Sequence, residues 1–201
     1  MVLGINLPNG YQITHRNGSN IKAPFPDIPL EMHELFDGDS GDLNKSYRGQ
    51  FGFIPFDSSL RLPRHVHIGP PDKDGKKMLV TERILVLNGV ALVELSGIVY
   101  VVAPGSLVTI CAGVPHTWTA CPAGVKLPDG QVSDGTFLMV YEYEEVTGFF
   151  PTKQTDTLTS ADQYIRYEGD LEEIRFPNLT KEEVVGNASI FWDRQITDLE
   201  P

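Results

Sequence analysis

Residues 62–89 read LPRHVHIGPPDKDGKKMLVTERILVLNG. Two histidines, His65 and His67, stand one residue apart, a polar run follows, and Glu82 then heads an apolar run that stops at Gly89. On a β-strand, residues i and i+2 project to the same face. His65 and His67 therefore point together, and two imidazoles at that spacing can grip one ion, while Arg64 and Val66 face the other way. A pair of ordinary surface histidines on a strand edge has the same pattern, and His-x-His alone does not separate the two readings. Between His67 and Glu82, a Gly-Pro-Pro start and an internal Asp-Gly have the chemistry of a solvated hairpin tip.

Outward from this stretch the chain divides by composition. Residues 1–46 are rich in Pro, Gly, Asn and Asp and read as an irregular N-terminal arm, with room for a short helix after Pro29. From 47 to 150 the runs YRGQFGFIPF, LRLPRHVHI, ERILVLNGVALVEL, GIVYVVAPGSLVTIC and GTFLMVYEYEE are rich in Val, Ile, Leu, Phe and Tyr and are punctuated by Gly, Pro, Asn and Asp. These are strand signals. Several runs are continuously apolar rather than alternating, as expected of strands buried on both faces. Residues 151–201 form a C-terminal extension. Within it, Thr180 and Glu183 have the spacing of a capping box and predict a short helix. Many short strands with one terminal helix predict an all-β sandwich or barrel with extensions.

A chain of 201 residues has enough length for one sizeable core. Its net charge is −11 and no block of Lys or Arg occurs, which argues against nucleic acid and against an acidic membrane surface as partners. The first residues lack a basic region followed by a long apolar core, and no run approaches a bilayer's thickness. Two cysteines, Cys111 and Cys121, are too few for a disulfide scaffold. A cytoplasmic location is expected.

Further along, PGSLVTICAGVPHTW (104–118) places Gly105, Gly113 and His116 at fixed intervals. Taken with His65-Val66-His67 and the Glu82 to Gly89 spacing, the sequence resembles the cupin family over about residues 47–146. Its two motifs are commonly written G-x5-H-x-H-x3,4-E-x6-G and G-x5-P-x-G-x2-H-x3-N. The resemblance implies a cupin-type jelly-roll β-barrel in which His65, His67, Glu82 and His116 converge on one divalent transition metal. Fe(II) is favoured, with Mn, Ni, Cu or Zn as alternatives. The match departs at Ser59, Cys111 and Ala120, and fourteen residues separate His67 from Glu82 where the family has three or four. In one reading a lengthened hairpin still delivers Glu82 to the site; in the other, Glu82 is a surface residue and the site has three histidines.

Strand periodicity carries Trp118 to the same side as His116. Phe51 and Phe53 share one face of their run, as do Tyr141 and Tyr143 of theirs. Trp118, Phe53 and Tyr141 are the candidate substrate contacts, and Cys111 is expected to be a buried thiol. Arg64 and Arg83 alternate away from the ligands. By the resemblance, the function is a metal-dependent enzyme acting on a small apolar, aromatic or polyketide-like molecule, an oxygenase of dioxygenase type. A decarboxylase, lyase or isomerase is the alternative. A non-catalytic ligand- or metal-binding barrel and a metal-free isomerase with a histidine base complete the set. The expected partners are a small-molecule substrate and a second copy of the chain as a homodimer.

Overall fold

The β-branched and aromatic runs become strands, and their pairing gives the architecture. The structure is a computed structural model that describes residues 5–6, 12–13, 20–36, 49–192 and 195–199. The arm contributes β1 (Ile5–Asn6), β2 (Gln12–Ile13), β3 (Asn20–Lys22) and β4 (Met32–Phe36). Eight strands follow: β5 (Phe51–Asp57), β6 (His65–Ile68), β7 (Glu82–Gly89), β8 (Ala91–Leu95), β9 (Ile98–Val102), β10 (Leu107–Ile110), β11 (His116–Ala120) and β12 (Thr136–Tyr143). The chain ends with β13 (Gly148–Pro151), α1 (Lys181–Asn187), β14 (Ser189–Trp192) and β15 (Gln195–Asp198).

The central eight strands pair as nested shells, all antiparallel: β8 with β9, β7 with β10, β6 with β11, and β5 with β12. One sheet has the order β10-β7-β12-β5-β4-β3 and the other β13-β6-β11-β8-β9-β14-β15. Nested pairing folded into two facing sheets is the jelly roll. The all-β, jelly-roll expectation therefore holds on strand order alone.

Alternation along the strands sorts side chains between two cores. Ile54, Phe56, Ile84, Val93, Trp118, Met139 and Tyr141 fill the space between the sheets. On the outer side of the second sheet, Leu92 and Val101 pack with Cys121, Phe176, Val184 and Ile190, and Val66 and Ile68 pack with Leu158. The C-terminal extension thus covers that sheet, which is why β6 is buried at every position. Its helix α1 carries the expected capping box: the Glu183 amide donates to Thr180 Oγ1 at 3.2 Å, and the Thr180 amide donates to Glu183 Oε2 at 2.8 Å. In the arm, β3 and β4 extend the first sheet of their own barrel beside β5.

Two motif glycines have a backbone reason. Gly89 and Gly113 have φ of 67° and 85°, and a Cβ would collide with the Thr136 carbonyl at the first and the Leu158 carbonyl at the second. The run between His67 and Glu82 is a hairpin. The Val80 amide donates to the His67 carbonyl at 3.0 Å, and the Gly69 amide to the Met78 carbonyl at 2.8 Å. Residues 70–78 are exposed at its tip, where Asp72 Oδ1 accepts from the amides of Asp74 and Lys76. No helix among the described residues is long and apolar enough to cross a membrane.

Candidate metal centre

β6 and β11 are neighbours, with His116 the cross-strand partner of His65. Both face the space between the sheets, and His67 joins them two residues along β6. The three rings lie with centroids 4.4–5.2 Å apart, and their candidate ligand nitrogens all fall within 4.8 Å of one another. The facing sheet supplies Glu82 from the first position of β7. Its Oε2 lies 3.0 Å from His116 Nε2 and 3.4 Å from His67 Nε2. The long insert therefore does not carry Glu82 away, because β7 is held by its pairing with β10 and β12 and not by the hairpin that precedes it.

The second nitrogen of each ring fixes the tautomer. Nδ1 lies 2.8 Å from the Pro63 carbonyl in His65, 3.0 Å from the Gly148 carbonyl in His67 and 2.9 Å from the Val114 carbonyl in His116. A carbonyl only accepts, so each Nδ1 carries a proton, and the neutral form of each ring turns its Nε2 lone pair inward. His67 Nε2, His116 Nε2 and Glu82 Oε2 are buried without a well-aligned hydrogen bond. Burial, reinforced by the two neighbouring imidazoles, holds the His65 pKa well below 6.5. Burial alone would raise the Glu82 carboxyl. The charge and Nε2–H hydrogen bonds of His67 and His116, when those rings are protonated, more than offset it and hold Glu82 below the usual carboxylate range. A bound cation would act in the same sense.

Lone pairs from three imidazoles and one carboxylate thus face one point. Such a set suits a divalent transition metal, and the Nδ1–H···O=C bonds are the outer support that orients metal-binding histidines. The three histidines can hold an ion by themselves; Glu82 stands close enough to be a fourth ligand.

Other residues fall differently. Trp118 and Tyr141 are buried between the sheets, as their periodicity predicts. Phe53 is a correction: Ile54 and Phe56 take the interior, so Phe53, one residue out of phase, lies on the opposite face. There it stacks on His33 with ring centroids 4.9 Å apart. Cys111 is exposed, and the buried thiol is Cys121. Arg64 points outward as expected and forms a two-point ion pair with Glu94 at 2.7 and 3.0 Å.

A pocket of about 360 Å³ opens beside the centre, walled by Met32, Glu34, Gln50, Tyr143, Thr147 and Phe149, with Lys22 and its neighbours from the arm. The Phe149 ring packs 4.7 Å from that of His65 and the Tyr143 ring 4.6 Å from that of His67. Neither Trp118 nor Tyr141 belongs to this wall. Tyr143 had a signal, since it shares its strand face with Tyr141. Lys22 and Glu34 had none, because only the folded chain brings the arm to the barrel mouth.

No protein-family model matches the chain, and no curated protein matches it significantly. Among solved structures it is similar to the polyketide cyclase RemF from Streptomyces resistomycificus, at 17% identity and a TM-score of 0.44 over 75% of this chain and 89% of that one. It is also similar to ectoine synthase from P. lautus, at 13% identity and a TM-score of 0.43 over 77% and 99%. A Cupin 2 conserved barrel domain protein from Salinispora arenicola CNS-205 matches at 16% identity and a TM-score of 0.40 over 67% and 89%. The fold assignment stands on the strand order, and the chemistry on the side chains of the site.

Proposed function

We propose that the chain is a mononuclear metal-dependent enzyme acting on a small organic molecule that enters by the pocket against Tyr143 and Phe149. The observation that carries this reading is the convergence of three Nδ1-tethered imidazoles and the Glu82 carboxylate, all turning lone pairs to one point. His65, His67, His116 and Glu82 would hold the ion, with Fe(II) the first choice among Fe, Mn, Ni, Cu and Zn. When bound, it supplies Lewis acidity and, if redox-active, dioxygen chemistry. The chain's own part is to hold the rings through the Pro63, Gly148 and Val114 carbonyls and to offset cationic charge with Glu82. Phe149 and Tyr143 keep water from the ring faces they cover. Oxygenation is the first activity to assay, ahead of decarboxylation, elimination and isomerisation.

Metal analysis of protein purified without chelators or a nickel column tests this, alongside Glu82→Ala and His116→Ala. The expected result is near-stoichiometric transition metal in the wild type, lost in both variants, with oxygen uptake screened next. Zinc as the sole metal would redirect the assay to lyase and isomerase chemistry. A wild type that stays metal-free after reconstitution overturns the proposal. Metal retained in Glu82→Ala reduces the ligand set to the three histidines.

A further inference from the structure

The pocket has an uneven polar lining. Glu34 is buried, yet both its oxygens are engaged: Oε1 lies 2.7 Å from Lys22 Nζ, and Oε2 accepts from Asn20 Nδ2 at 3.2 Å. Gln50 and Thr147 satisfy each other. Gln50 Nε2 donates to the Thr147 carbonyl at 2.9 Å, the Thr147 amide donates to Gln50 Oε1 at 3.2 Å, and Thr147 Oγ1 donates to the Ile68 carbonyl at 2.9 Å. Tyr143 differs. Its side chain is buried at 2% exposure, and its hydroxyl makes no well-aligned hydrogen bond. The Glu82 carboxylate lies within its reach but out of good alignment, and a buried hydroxyl so poorly satisfied is costly and open to a better-placed acceptor that arrives from outside.

Position narrows what that group is. Tyr143 is the cross-strand partner of Glu82, and its ring packs against His67, so it is a wall common to the pocket and the metal centre. Resting on the metal reading above, we infer that the Tyr143 hydroxyl is a substrate-orienting donor. It hydrogen-bonds the oxygen through which a small organic acid, as carboxylate or enolate, binds the metal. The class follows from lone pairs. An amine nitrogen gives its single lone pair to the metal and has nothing left to accept a hydrogen bond. A carboxylate or enolate oxygen ligates with one lone pair and accepts from Tyr143 with another. Met32 and Phe149 offer apolar surface to the remainder of the molecule.

Tyr141 provides the internal comparison. Two residues earlier on the same face, its hydroxyl is also buried without a well-aligned hydrogen bond, but it is not part of the pocket wall. The experiment loads the full chain with Co(II), whose visible bands report exchange of added ligands, and titrates it with acetate and separately with imidazole. Tyr143→Phe keeps the ring against His67 and removes only the donor. Acetate affinity is expected to fall about tenfold, the size of one charge-assisted hydrogen bond. Imidazole affinity and Co(II) affinity should stay within about twofold, and Tyr141→Phe should move none of the three. Unchanged acetate binding in a Co(II)-loaded Tyr143→Phe protein overturns this inference and leaves the metal reading standing. Equal weakening of acetate and imidazole, or loss of Co(II) itself, assigns Tyr143 to supporting Glu82 and also overturns it. A wild type that takes up no Co(II) removes the metal reading and this inference with it.

Discussion

The second sheet has two faces that obey different rules. On its outer face every polar group named here is paired: Thr117 and Thr119 donate to the Leu62 and Leu60 carbonyls, Ser133 to the Cys121 carbonyl, and Arg64 to Glu94. Burial pushes the Cys121 thiol up to about 12, which keeps it protonated and inert. On the inner face of the same strands, His67 Nε2, His116 Nε2 and Trp118 Nε1 are buried without a well-aligned hydrogen bond. Residues one position apart thus serve opposite purposes. The outer positions stabilise the fold by ordinary packing and satisfied hydrogen bonds, and the inner histidines hold nitrogens that a bound ion would complete on the proposed function. Period-2 alternation keeps the two roles from interfering.

The largest effect that would test this separation is on the outer side. Phe176 is fully buried in the extension's core. Phe176→Ala should lower stability by about 3–5 kcal/mol in urea unfolding, with metal content per folded chain unchanged. Loss of metal in that variant would mean that the two faces are coupled after all.

Acid is the intermediate probe, and it acts from the inner side. The His65 pKa is depressed below 6.5 in the fold, so below pH 6.5 the unfolded chain binds more protons than the native one. Its stability contribution is complete above that pH and is lost as the pH falls through 6.5 towards the lower native value. In metal-free protein this costs up to about 1.4 kcal/mol per pH unit. Denaturant titrations between pH 7.5 and 5.5 should show that slope in the wild type and a flatter one in His65→Gln. Equal slopes would locate the acid sensitivity elsewhere.

The smallest effect is at the far end of the extension. Thr180→Ala removes the cap of α1 and should cost about 1 kcal/mol, read as a shift in the urea midpoint, with the metal again untouched.

The strand pattern made the β-rich fold and the shared face of His65 and His67 legible, because both follow from short-range rules; that Glu82 and His116 join them was implied only by the resemblance to cupins. His65 and His67 share a face by periodicity, and Gly89 and Gly113 mark turns that only a positive φ permits. What failed had a different origin. Phe53 sits in a run where apolar residues occupy both alternating sets, so sequence could not say whether Phe53 or Ile54 and Phe56 faced inward. Tyr141 and Tyr143 share a face, but their distance from the histidines along β12 depends on its register with β7. Lys22 and Glu34 reach the pocket through an arm docked by long-range pairing, for which no local pattern exists. Cys111 followed a general tendency of cysteine to be buried, and its position before the turn at Gly113 prevailed.

The nesting of the strands also sets an order in time. The β8–β9 hairpin needs only neighbours in sequence, whereas each shell outside it closes a longer loop and pays a larger entropy of closure. His65 and His67 belong to one shell, Glu82 to another, His116 returns on the far side, and Tyr143 lies on the outermost pair. The four ligand residues all lie between β6 and β11, so they come together once that shell has formed, and Tyr143 joins them with the outermost β5–β12 pair. On the proposed function, an ion would therefore meet ligands gathered by three nested strand pairs and not by one contiguous loop, with Tyr143 added by the fourth pair.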